Sequence, residues 1–468
     1  MTSLLKNLRK GYKYFLIALK GEETEFTTGS INKAIFLLSV PMVLEMIMES
    51  LFAVVDVFFV AKVSVDAIAT VGLTESVVMI VYSIAIGLSM AATAVVARRI
   101  GEKDPKRAGN AAFQAILIAA SLSVVISIFG IIFAEDILRI MGGSEQLIAQ
   151  GAGYTRVMLG GNASIMLLFL INGIYRGAGD ASMAMRSLWI ANGLNIVLDP
   201  LFIFGLGPIP GFGVEGAAIA TTIGRSVGVF YQLLGLFGGE RIIKLTIENV
   251  KIRWNTVRSI FNIAAGGMGQ FLIESASWIF LVRIISEFGS AALAGYTIAF
   301  RIIVFTILPS WGMANAAATL VGQNLGAKKP ERAESSVWKT AHLNTAFLFV
   351  VSIIFFWFAH EFVGLFSDET VVRDYGALAL RVICVGYITF AYGMVISQGF
   401  NGAGDTKTPV VMNIIFFWFI QIPLAYALAI HLEYGFLGAM ISVAIAFALH
   451  AAACIYWFRL GKWKLVKV

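Results

Sequence analysis

Hydrophobic positions in this chain come in long runs, separated by short polar or basic stretches. Twelve segments stand out, at about 34–61, 67–97, 108–134, 147–175, 183–206, 213–238, 257–287, 291–323, 335–360, 371–399, 408–431 and 435–459. Each is longer than the ~20 predominantly apolar residues a helix needs to cross a bilayer. The alternation of period two that marks a barrel strand is absent, and the runs far exceed the ~10 residues such a strand uses. The pattern predicts an all-α integral membrane protein with twelve transmembrane helices. Composition agrees: 59% of residues are hydrophobic and 13% charged, where soluble domains carry roughly 25% charged residues.

The second six segments repeat the first six at a shift of about 225 residues. Gly177-Ala178-Gly179-Asp180 falls on Gly402-Ala403-Gly404-Asp405, Glu49-Ser50 on Glu274-Ser275, and Arg156 on Arg381. Gly101, Lys103, Pro105 and Arg107 fall on Gly326, Lys328, Pro330 and Arg332. Six spans per repeat bring both halves in from the same side, so the two six-helix bundles are parallel repeats about an axis along the membrane normal. The division that follows is an N-terminal amphipathic segment and linker (1–30), a first bundle (31–238), a cytoplasmic linker (239–256), and a second bundle with its tail (257–468). In each Gly-Ala-Gly-Asp the glycines can end one helix and Asp180 or Asp405 can cap the next. No Gly-Lys-Ser/Thr follows, so a phosphate loop is not indicated.

The net charge of +7 is a topology signal and not a nucleic-acid one. Arg98, Arg99, Lys103, Lys106 and Arg107 crowd one loop, Lys328, Lys329 and Arg332 its repeat, and Arg241, Lys244, Lys251 and Arg253 the linker between bundles. The positive-inside rule then puts both termini in the cytoplasm of a cell-membrane protein. In residues 1–20, Leu4, Leu5, Leu8, Tyr12, Phe15, Leu16 and Leu19 take one side of a helical wheel and Lys6, Arg9, Lys10, Lys13 and Lys20 the other. Such a basic amphipathic helix suits an anionic leaflet surface. Gly21 would end it, and Glu22 to Ser30 reads as a linker. Cys384 and Cys454 read as small hydrophobes inside spans, and the four histidines lack metal-ligand spacing.

Charge within hydrocarbon costs roughly 2.5–3.5 kcal/mol at a helix centre, so charged residues there are functional candidates. In the first span Pro41, Glu45, Glu49 and Asp56 share one stripe, within ~80° of one another. In the fifth, Asn192, Asn195 and Asp199 form a second, followed by Pro200, which cannot donate to the carbonyl a turn back and should bend the helix. Carboxylate, amide and backbone oxygens are hard ligands that suit Na⁺ or a proton relay. We read Asp56, Asp199, Asn195 and Thr221 as the cation- or proton-binding set, any Na⁺ lying at Asp56 and Asp199. Glu49, Asn172 and Asn192 are candidates for the substrate cavity, and Pro41 and Pro200 for conformational roles. The alternative for the asparagines is interhelical bonding alone. The repeat is an internal control: Asp56 becomes Leu281, Asn195 Ile420, Asp199 Leu424 and Glu45 Gln270, while Glu49 stays acidic as Glu274. The acid pair belongs to the first bundle only.

These residues resemble the multidrug and toxic compound extrusion (MATE) family over about residues 31–460. The carriers are Pro41 with Val54-Val55-Asp56, the two Gly-Ala-Gly-Asp motifs, and Asn195 to Pro200 followed by Gly216-Ala217-Ala218-Ile219-Ala220-Thr221. The pattern is most similar to the DinF-like, archaeal-type branch, whose N-lobe acid pair is linked to cation coupling. The NorM branch resembles a site with acids in the seventh and tenth spans. Glu274 matches the first of these, and the tenth span carries no deep acid. The resemblance implies a monomeric antiporter that exports small lipophilic organic cations and drugs against H⁺ or Na⁺, with no other cofactor, through a V-shaped cavity. The runner-up is a flippase for a lipid-linked precursor of the same superfamily. The acidic stripe favours a cationic cargo, and no nucleophile–base constellation suggests an enzyme.

Overall fold

The computed structural model describes residues 2–21, 25–208, 210–238 and 241–468. The first bundle consists of α2 (Ile31–Val60), α3 (Val65–Gly101), α4 (Pro105–Ile132), α6 (Glu145–Gly160) with α7 (Asn162–Ala178), α8 (Ala181–Phe204) and α9 (Val214–Gly238). The second repeats it as α10 (Trp254–Ser286), α11 (Ser290–Gly326), α12 (Pro330–Trp357), α14 (Thr370–Val385) with α15 (Tyr387–Ala403), a stretch from Lys407 to His431, and α18 (Gly435–Arg459). Short helices α5 (Ala134–Ile140) and α13 (Ala359–Gly364) follow the third span of each half, where the hydropathy pattern shows only a loop. Nine of these helices are long and apolar enough to cross a membrane, and the bent pair α14–α15 makes a tenth. With α2 and α9, the described residues form the twelve spans of two parallel bundles.

Three details depart from simple apolar rods. The fourth span breaks at Gly161 into α6 and α7. Its repeat breaks at Gly386, and there the two helices meet at 56°. The eleventh span interleaves α16 (Lys407–Asn413) and α17 (Ile422–Tyr426) with π-helical turns at Ile414–Gln421 and Ala427–His431. By contrast, α2 and α8 run as unbroken helix through Pro41 and Pro200.

Local chemistry explains the repeated joints. Gly179 and Gly404 both sit at φ 89°, the left-handed region open to glycine. Asp180 and Asp405 then accept from the backbone N–H of Met183 and Thr408, each at 3.2 Å, and start the next helix. Arg156 and Arg381 occupy matching places as well. Each reaches back to a terminal carbonyl of the third span of its own half, Ile131 at 3.4 Å and Phe356 at 3.0 Å.

Both flanking segments and the basic loops gather at one end. Lys329 and Arg332 donate to the carbonyls of Phe26, Thr27, Thr28 and Gly29. Arg98 donates to Ala403 and Val466, and Arg99 to Val468. The connection between bundles folds onto the first: Asn110 and Gln114 donate to Lys251, and Arg241 pairs with Asp180. At this end Gly101 packs on the backbone of Gln323 and Gly326 on that of Arg98, so closely that a Cβ at either would overlap. Helix α1 (Thr2–Lys20) ends at Gly21 (φ 69°) and is tied to α8 by Arg186 donating to Leu19. Its Ala18 packs into a cluster with Ile35 and Leu38, while Tyr12, Phe15 and Leu16 remain exposed. The side chains of residues 2–10 of the amphipathic stripe, and linker residues 22–24, lie outside the described residues.

Candidate functional site

The acidic stripe of α2 faces the interior of its own bundle, and each acid meets different partners. Nearest the end with the flanking segments, Glu45 is 1% exposed. Its Oε1 accepts from Arg176 Nη1 at 2.8 Å and from Asn172 Nδ2 at 2.9 Å. Arg176 also donates to Ser89 at 2.8 Å. The amide oxygen of Asn172 accepts from Gln232 at 2.5 Å and Ser187 at 3.1 Å. Asn172 is thus held within the bundle by α2, α8 and α9.

One turn further along, Glu49 accepts from Asn192 Nδ2 at 2.8 Å and pairs with Arg225 Nη2 at 3.3 Å. Arg225 is 1% exposed. Its guanidinium sits in a cage of Phe52, Tyr82 and Phe169, with centroids 5.3, 5.5 and 5.7 Å away. Ring faces partly replace the water a buried cation loses. Its Nε and Nη1 have no hydrogen-bond partner among the described residues.

Beyond Arg225 lies the third group. Asn195 donates from one amide nitrogen to Asp199 Oδ1 at 3.2 Å and Thr221 Oγ1 at 3.0 Å. Asp199 is fully buried, and its Oδ2 and the Asn195 Oδ1 lack a partner among the described residues. Asp56 is 8% exposed, and its field acts on Asp199. Glu75 of α3 and Arg225 are the charges whose fields act on Asp56. The structure therefore gathers Asp199, Asn195 and Thr221 by hydrogen bonds, sets Asp56 within electrostatic reach of them, and places Asn192 and Asn172 on the two glutamate–arginine pairs. Among the described residues no three His, Cys, Asp or Glu side chains converge as a metal site. The oxygens of the third group are carboxylate, amide and hydroxyl, suited to a proton or a weakly held alkali cation.

Arg176, Arg225 and Glu75 were missed in the sequence. The signals were present. A guanidinium within a span is as costly as a carboxylate, and Arg176 directly precedes the Gly-Ala-Gly-Asp motif. Between the bundles opens a cleft lined by Met46, Ser89 and Arg176 on one side and Trp311, Gln398 and Asn401 on the other.

A bundle of this geometry, present twice, is also what sequence comparison finds. The MatE family profile matches twice, over residues 41–201 and 268–427. The chain belongs to the MatE family of membrane transporters. It is 26% identical over 435 residues to a probable multidrug resistance protein NorM of Thermotoga maritima, covering 93% of each chain. It is 24% identical over 432 residues to a FAD transporter of Shewanella oneidensis, covering 92% of this chain and 94% of that one. Among solved structures, the outward-facing conformation of a multidrug resistance MATE family transporter superposes with a TM-score of 0.88 at 28% identity, over 94% of this chain and all of that one.

Proposed function

We propose that this transporter exports lipophilic organic cations and drugs in exchange for H⁺ or Na⁺ by alternating access. The observation that carries the reading is a charge imbalance inside the first bundle. Two guanidiniums neutralise Glu45 and Glu49. Asp56, Asp199 and Glu75 form no ion pair among the described residues, and one Asp199 oxygen has no partner at all. An uncompensated carboxylate in a dry bundle is unfavourable, so the group demands a cation. A proton supplies it at Asp199 Oδ2. Na⁺ supplies it across Asp199 Oδ2, Asn195 Oδ1, Thr221 and Asp56.

A cationic drug answers to the same negative charge, so ion and drug exclude one another, and that exclusion is the exchange. Ion binding favours a bent α2 at Pro41 and a narrowed first-bundle cavity, and drug favours the wide one. Each shifts the equilibrium only by its differential affinity for the two. The first-bundle acid pair supports placement on the DinF-like, archaeal-type branch. The clustering of basic loops with both flanking segments supports a cell-membrane protein with that end, including the 239–256 connection, in the cytoplasm.

A second reading, an anionic or lipid-linked cargo, is favoured by Arg176 on the wall of the cleft and by the FAD transporter among the relatives. It is weakened by the Glu45 carboxylate that already holds Arg176. Efflux from proteoliposomes separates the two. A fluorescent organic cation should move only under an imposed pH or Na⁺ gradient, and Asp199→Asn should stop it. Flavin transport without cation transport would overturn the proposal in favour of the second reading.

A further inference from the structure

A groove of about 750 Å³ opens sideways between α1, α2, α11 and α12, outside both the acidic groups and the interbundle cleft. Its lining changes character along its length. Toward the end holding the flanking segments lie Asn32, Ser39 and Lys339, with Ile35 and Phe36 between the first two. Deeper lie Val43, Leu44, Met313 and Leu343, with His342 level with Leu343 and Phe15 of α1 also on the lining. Helices α2 and α12 start level with each other, since Arg332 donates to Gly29 at 2.8 Å. Lys339 and Ser39 are therefore at similar depth, and the groove from Asn32 to Leu44 runs ~18 Å at the helical rise. That is the length of an acyl chain below a headgroup.

Two polar groups have no use for their chemistry within the protein. Lys339 forms no ion pair or hydrogen bond among the described residues, although it sits ~14 Å into α12. Span serines commonly hide the hydroxyl on a carbonyl one turn back, as Ser50 does on Met46 and Ser336 on Arg332. Ser39 is 6% exposed, and its Oγ has no partner. A buried hydroxyl beside hydrocarbon is costly unless something satisfies it. His342 lies one turn beyond Lys339 on the same face of α12. A lysine and a donor hydroxyl at one level, beside a largely apolar channel, match one amphiphile.

We propose that this groove is a binding site for an anionic phospholipid of the leaflet at the flanking-segment end. The phosphate faces Lys339, with His342 one turn deeper, an ester oxygen accepts from Ser39, and one acyl chain lies against Val40, Leu44 and Met313. Helix α1 closes over the lipid through Phe15. The site is independent of what the transporter carries.

Native mass spectrometry of the purified full chain tests it. Palmitoyl-oleoyl phosphatidylglycerol and phosphatidylcholine are supplied together in equal amounts. One phosphatidylglycerol should be retained over phosphatidylcholine by about fivefold, the order one lysine gives against an anionic headgroup. Lys339→Gln with His342→Gln should equalise the two lipids. Val40→Trp, which fills the channel, should remove both, with thermal melting checked to show that the variant is folded. Equal retention of both headgroups by the intact protein overturns the proposal, and so does undiminished phosphatidylglycerol on a folded Val40→Trp variant. If that variant does not fold, the paired charge-removing variant decides alone. Displacement of the bound lipid by tetraphenylphosphonium would make the groove a portal for cationic substrate and overturn the assignment.

Discussion

Glu45 and Gln270 occupy the same place in their two bundles, yet one is an ion and the other is not. In the first bundle Glu45 takes a guanidinium from Arg176. In the second, Gln270 and Asn401, the residue matching Arg176, exchange two amide hydrogen bonds at 2.9 and 3.1 Å. Both arrangements join the first span of a bundle to its broken fourth, so the join itself needs no charge. A buried ion pair adds little stability over a neutral one of similar shape. The same holds higher up. Asp56 and Asp199 correspond to Leu281 and Leu424, and Leu281 packs fully buried in the apolar core of the second bundle. Arg225 corresponds to His450, which stacks on Phe417 at 5.1 Å. The duplicated scaffold folds either way. The first bundle keeps its charges for a reason other than folding.

Substituting one bundle's residues into the other is the direct way to break that comparison. The largest effect is expected from Asp199→Asn or Asp56→Asn. Efflux should fall to that of protein-free liposomes while the amount of folded protein, read by size-exclusion chromatography, is unchanged. Retained transport in both would remove the acid pair from the mechanism. Next comes Arg176→Asn alone, which strands Glu45 without its cation and should cost about 3–5 kcal/mol, visible as a lower melting temperature. Adding Glu45→Gln, which recreates the pair of the second bundle, should recover most of that loss. No recovery would mean that the two joins are not equivalent. Gly179→Ala forces an alanine into the left-handed region at φ 89° and should cost about 1–2 kcal/mol. Gly404→Ala should cost at least as much, because its Cβ would also meet the Val468 side chain. The smallest change belongs to Glu274→Gln, with efflux altered by less than about twofold, because Glu274 stands without the second carboxylate, amide and hydroxyl that gather at Asp199. A loss equal to that of Asp199→Asn would move the coupling site to the second bundle.

The twelve spans were legible because a bilayer imposes one length and one polarity on every crossing. The joints at Gly179 and Gly404 were legible because a cap needs particular residues at a particular spacing. The breaks at Gly161 and Gly386 were not, since hydropathy runs on through them and the chain holds 46 glycines with nothing local to single out these two. The polar stripes on α2 and α8 could be read from helical spacing. Which partner each group would meet could not, because Asn172, Arg176 and Arg225 come from other spans and tertiary packing decides the pairing. Arg176 and Arg225 carry the same signal as the acids, since a base within hydrocarbon is as costly as an acid. The same alignment that turned Asp199 into Leu424 also turned Arg176 into Asn401 and Arg225 into His450.

The chain's two flanking segments are crossed. Residues 26–29, which lead into the first bundle, are held by Lys329 and Arg332 of the second, and Val466 and Val468, which follow the second, are held by Arg98 and Arg99 of the first. A reporter fused beside either segment would therefore sit at a joint between the two bundles. A donor–acceptor fluorophore pair attached there would read the distance between the two bundles without a label inside the membrane.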